Sequence, residues 1–204
     1  MKQLRPPIPI ISIRRANPSP MGLMTYGLPT FLLSLWNAGL LPLGSAVLAI
    51  GFVFAGITQI IAGLLEWPTG NTFGMTAFVS YGAFWITLVA LIALPHTGII
   101  PASNHAMMGA YLSLWGLFSV VMFFGTLRLT PTHQFLFATL VILFFLLAFT
   151  EFTGSKVLGH IAGWEGLVCG FSAIYLAAAE ILEAQFGRSI LPVGKAAPKH
   201  TALL

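Results

Sequence analysis

No aspartate occurs in the 204 residues, and only 7% of them are charged. A soluble domain carries about 25% charged residues, so a surface this short of charge cannot face water on all sides. The chain also lacks GxSxG, HExxH and P-loop motifs. A membrane enzyme needs a nucleophile–base pair or a metal, and no enzyme is expected. There is a single cysteine, Cys169, inside an apolar run, which excludes an intrachain disulfide. Of the histidines, His96, His105, His133 and His200 lie in loops, at span ends or in the tail, and none pairs with His160 at a metal-ligand spacing. Neither a metal nor another cofactor is expected. The net charge of +4 comes with no basic patch interleaved with aromatics, so no nucleic acid is expected as a partner. The start, "MKQLRPPIPIISIRR", has no apolar core long enough for a cleavable signal. The first span is expected to serve as its own signal and remain in place.

What the chain has is apolar length: 57% of its residues are hydrophobic. A membrane-crossing helix takes about 20 residues. Six apolar stretches are placed near 19–37, 44–66, 72–94, 106–127, 134–154 and 157–184. The breaks between them carry turn residues: "NAGLLPLG", "EWPTGN", "PHTGIIPASNH", "RLTPTH" and "TGSK". The runs are too long for barrel strands and do not alternate. The reading is an all-α integral membrane protein in a lipid bilayer, with six transmembrane helices. A basic segment, 1–16, precedes the helical domain, 17–187, and a cytoplasmic tail, 188–204, expected to be loose, follows it. Lys2, Arg5, Arg14, Arg15, Arg128, Arg188, Lys195 and Lys199 fall on one side of this arrangement and Lys156 alone on the other. Positive residues favour the cytoplasmic side, so both termini are expected there.

Polar groups within spans are costly unless paired or facing water. Gln59 lies in the second span, and Asn71, Thr72, Ser80 and Tyr81 in the third. His160, Glu165 and Glu180 lie in the sixth. Glu165 falls about 14 Å below the start of its helix at about 1.5 Å per residue, near the middle of a bilayer. It reads either as a proton carrier or as a structural group bonded to a neighbouring helix. Glu180, with Glu183 and Arg188 close by, reads as a pairing or end-anchoring group. Gly159 and Gly163, then Gly166 and Gly170, are spaced for close helix packing, either within one bundle or between subunits.

One motif goes further. "NPSPMGL" from Asn17 resembles the NPAPLGL-type signature of the acetate uptake transporter family, which includes bacterial acetate/succinate permeases. "GITQIIAGLLEWPTGNTFGMTAFVSYGAFW", "YLSLWGLFSVVMFFGTL" and "AGWEGLVCGFSAIYLAAAEILEAQFGRSILPVG" are similar to further helices of those permeases. The resemblance implies a bacterial-type inner-membrane, multi-pass protein assembled as a homo-hexamer. Each protomer would carry its own path for acetate and possibly succinate, by proton-coupled symport or channel-like passage. It places a constriction at Tyr26, Tyr81 and Leu140, with Tyr26 replacing the family's usual Phe. It places Gln59 on the path and Ala173 at a position governing mono- against dicarboxylate choice. Asn71 and Thr72 join Asn17 as path-lining candidates, and Glu165, which departs from the family pattern, is the candidate for proton coupling. Asn17 is a good helix cap, and prolines are tolerated in a first turn. First-turn N–H groups left free there would favour an anion, held further in by Tyr hydroxyls. The alternative reading is a hexameric channel for a neutral solute such as urea or a short amide. A scaffold with a blocked path is the third.

Overall fold

The computed structural model describes residues 16–196. The basic segment carrying Lys2, Arg5, Arg14 and Arg15, and the end of the tail with Lys199 and His200, lie outside the described residues. Among the described residues there is no strand. The described residues form six helical rods: α1 Ser19–Asn37, α2 over 45–66, α3 Thr72–Ala93, α4 His105–Gly125, α5 Pro131–Thr153 and α6 Lys156–Phe186. Their ends fall within three residues of those read from the apolar pattern. All but α1 are long and apolar enough to cross a membrane. The chain is a membrane protein. α1 is less apolar because it turns Thr25, Thr30 and Ser34 inward.

Several rods begin and end as local chemistry dictates. The Asn71 side chain accepts the Gly74 N–H at 2.9 Å and the Asn104 side chain the Met107 N–H at 2.8 Å, each satisfying a first-turn donor. Gly154 and Gly187 close α5 and α6 with φ of 64° and 67°, a left-handed turn that suits glycine.

The start of α1 departs from expectation. Asn17 is not its cap; that position is Pro18, and the Asn17 Oδ1 accepts the Ser19 N–H at 3.1 Å. Pro18 and Pro20 have no N–H to offer. The N–H groups of Met21 and Gly22 both go to the Pro18 carbonyl. The motif therefore removes or pairs the first-turn donors, and no nest of free N–H groups faces an anion here. The Asn17 amide turns instead to α6, donating to Glu180 at 3.1 Å.

α2 is one rod with a wide middle. Gly51–Thr58 is wound as a π-helix, and the Thr58 hydroxyl donates to the Val53 carbonyl five residues back. The tail is not loose where it is described. Tyr175 donates to the Pro192 carbonyl at 2.9 Å, and the Thr132 hydroxyl and N–H both reach the Val193 carbonyl. That carbonyl satisfies a first-turn donor of α5, because the cap residue Thr130 makes no side-chain cap bond.

α1 and α6 are the most closely packed pair. An added Cβ at Gly163 would run into the backbone of Ala38, and one at Gly170 would lie 2.7 Å from the Phe31 nitrogen. Across the seam, a Cβ at Gly27 would lie 2.9 Å from the Gly170 carbonyl. The small-residue spacing thus serves packing inside the bundle. Gly159 is different, since its Cβ would meet only a Thr150 methyl at 3.3 Å. Overpacking costs about 1–3 kcal/mol. Gly170→Val is expected to lower the unfolding temperature in detergent clearly, and Gly159→Ala to leave it nearly unchanged.

Candidate functional site

Two cavities enter the bundle from opposite ends. The larger, about 550 Å³, opens between the end of α1 at Asn37, the end of α5 at Glu151 and the start of α6 at Lys156 and His160. The smaller, about 280 Å³, opens between the start of α1 at Asn17, the start of α3 at Asn71 and Glu180 near the end of α6. Alternating up-and-down rods produce this arrangement, with odd-numbered rods starting at the smaller cavity.

Between the cavities lies a plug of side chains on α1, α3 and α5. Leu23, Phe78 and Phe137 form the floor of the smaller cavity. One helical turn further along each rod stand Tyr26, Tyr81 and Leu140, and the first and last of these line the larger cavity. All three are at most 7% exposed. The Tyr26 and Tyr81 rings are 6.2 Å apart, and Phe144 stacks beside Tyr81 at 6.4 Å. The structure thus brings the three predicted constriction residues together at one level.

The hydroxyls in this plug are already engaged. The Ser119 hydroxyl donates to the Trp115 carbonyl at 2.8 Å. Its oxygen is then an acceptor, so Tyr81, 2.8 Å away, must donate its one hydrogen to Ser119. Tyr26 lies 3.2 Å from the Cys169 sulfur. The plug is apolar on its faces, with its polar atoms turned to α4 and α6. The Tyr81 hydrogen expected to hold a carboxylate is committed elsewhere.

The remaining predicted residues divide. Asn17 and Asn71 line the smaller cavity. Gln59 is buried but lines neither cavity; its amide donates to the Gly22 carbonyl at 3.3 Å, and its Oε1 has no partner. Thr72 is exposed at the start of α3 and also lines neither. Ala173 is fully buried one turn from Cys169. Glu165 likewise lines neither cavity. Both its carboxyl oxygens are buried without a partner, and it sits one turn from Cys169 on α6. Among the described residues no group of side chains could hold a metal.

A profile of the GPR1/FUN34/yaaH family matches residues 2–195. The chain belongs to this family. It is 52% identical over 180 residues to the succinate-acetate/proton symporter SatP of Escherichia coli K12, covering 88% of this chain and 96% of that one. It is 34% identical over 196 residues to acetate permease A of Emericella nidulans, covering 87% and 65% of the two chains. A solved structure of the bacterial acetate channel SatP superposes with a TM-score of 0.87 at 52% identity, covering 89% of this chain and all of that one.

Two groups of this GPR1/FUN34/yaaH chain escaped the sequence reading. Glu66, in the turn "EWPTGN", is only 1% exposed. Its Oε2 accepts from Asn71 at 3.0 Å and Thr69 at 3.2 Å, while Oε1 has no partner. A carboxylate closing an apolar run five residues before a helix-capping Asn was the available signal. His133, taken as a span-end residue, lines the smaller cavity beside Glu180. Ser119→Ala would leave the Tyr81 hydroxyl buried and unpaired, at a cost of about 1–3 kcal/mol. Tyr81→Phe leaves Ser119 bonded to Trp115, so thermal unfolding in detergent should show the smaller loss for Tyr81→Phe.

Proposed function

We propose that this protein carries small carboxylates, acetate foremost and succinate with it, across a bacterial inner membrane. The path runs inside each protomer, from one cavity to the other, across the plug of Tyr26, Tyr81 and Leu140. The observation that carries this reading is the pair of cavities meeting that plug from opposite ends. The names of the relatives, a symporter, a permease and a channel, support the same substrate class. The protein is not an enzyme; it works as a multi-pass chain of six crossings with both ends cytoplasmic. Arg128, Arg188 and Lys195 support that orientation, because they share the side of the smaller cavity while Lys156 stands at the larger. Six copies form the working ring, and the apolar outer faces of α2, α4 and α5, with Val53, Leu114, Val121 and Phe149 exposed, suit contact with lipid and with other copies.

The physical logic is that of weak binding. Among the described residues no lysine or arginine stands at the plug, so nothing described there would hold a carboxylate long. A narrow apolar neck between wetter cavities passes a solute that sheds water briefly. The neutral acid loses far less hydration there than the anion, which gives proton-linked movement without a dedicated carrier. Glu165 is the alternative carrier, because a buried carboxyl without a partner is a costly place for a fixed charge.

The test is uptake of labelled acetate by proteoliposomes with and without an inward proton gradient. Accumulation beyond passive acetic acid partitioning is expected of a symporter, and fast equilibration of a channel. In both cases, Leu140→Trp, which fills the neck, should cut flux about tenfold or more. No acetate flux above empty liposomes would overturn the reading and turn the assay to urea. Glu165→Gln should abolish gradient-driven accumulation and keep downhill flux; equal accumulation in both proteins would remove Glu165 from the mechanism.

A further inference from the structure

The smaller cavity carries charge in an arrangement that the carboxylate path does not by itself require. Its floor is Leu23, Phe78 and Phe137, and its polar wall is Asn17, Ser19, Asn71, His133 and Glu180. Glu180 is held from two sides. Its Oε2 accepts from Asn17 at 3.1 Å, and its Oε1 lies 3.9 Å from the His133 Nε2. The other His133 nitrogen is 2.8 Å from the Thr130 hydroxyl. Behind Asn71 stands Glu66, its Oε2 bonded to that amide. The charged neighbours of Glu180 are thus Glu66 on α2, His133 on α5 and Glu183 on its own helix, while α1 offers the neutral Asn17 and Ser19. Among the described residues no lysine or arginine lines this cavity.

A solute on the floor therefore meets the Glu180 carboxylate on α6, with Glu66 on α2 buried behind Asn71, and among the described residues His133 is the basic side chain on the wall. Repulsion scales with the product of charges and is strengthened over an apolar floor. Acetate carries one charge and an ionised dicarboxylate two. The extra penalty for the dicarboxylate is a whole further charge–charge interaction with Glu180.

Building on the carboxylate reading, we propose that the Glu180–His133 pair is a charge filter, passing neutral acids and single anions and turning back dianions. A dicarboxylate then crosses in its singly protonated form, carrying a proton through without any carrier residue. A positive charge set at the His133 position would offset that of Glu180, and the filter would relax.

The experiment compares labelled acetate with labelled fumarate, a dicarboxylate that stays doubly ionised from neutral to mildly acid pH, in proteoliposomes. The readout is the fumarate-to-acetate flux ratio, which a general loss of folding does not move. Glu180→Gln keeps an acceptor for Asn17 and should raise the ratio about tenfold at neutral pH. His133→Lys, which sets a fixed positive charge beside Glu180, should raise it as well. Ratios within about twofold of the parent protein for both variants, each still passing acetate, would overturn the filter. If either variant fails to fold, the other decides. Absence of acetate flux in the parent protein would instead sink the carboxylate reading on which the filter rests.

Discussion

The seam between α1 and α6 is the constraint on which the rest of the structure depends. Backbone meets backbone there because Gly27, Gly163 and Gly170 carry no side chain. In a bilayer, helices gain little by hiding apolar surface from lipid, and close approach supplies the attraction instead. The seam fixes how α1 lies along α6. With that set, Tyr26 falls against Cys169 and Asn17 against Glu180. The Tyr26 side of the plug and the Asn17–Glu180 contact in the wall of the smaller cavity follow from this packing.

Within that frame the plug resembles a hydrophobic iris more than a binding site. Tyr81 sits among Phe118, Phe137 and Phe144, each ring within 6.4 Å. Its hydroxyl is turned outward to α4. A ring of this kind discriminates by size and hydration, not by recognition. The charged side chains stand in the cavities on either side, where His105 and Glu151 meet at 2.7 Å near one mouth and His133 faces Glu180 in the other.

The rods were legible from the chain because a membrane helix must satisfy its backbone internally. Long apolar runs with turn residues between them leave little other choice. Tyr26, Tyr81 and Leu140 were reached through resemblance, and their convergence is a fact of packing that no local pattern reveals. What local reading left open was where several polar groups bond. The first-turn donors of α1 looked free, but the two prolines remove two of them and Asn17 takes a third. The resemblance put Gln59 on the path; its amide bonds the Gly22 carbonyl, and it lines neither cavity. Glu66 looked like turn punctuation because its partners, Thr69 and Asn71, come from the turn itself. Hydrogen-bond partners across helices depend on rotation about each axis, and spacing along the chain does not encode that.

The docked tail has a mechanical meaning. Val193 holds the first turn of α5 through Thr132, and the next residue along that helix is His133. The end of the chain is thus a lever on the cavity wall. A pull on the docked stretch would bear first on that turn. The stretch around Val193 thus braces the wall that carries His133 without itself lining the cavity.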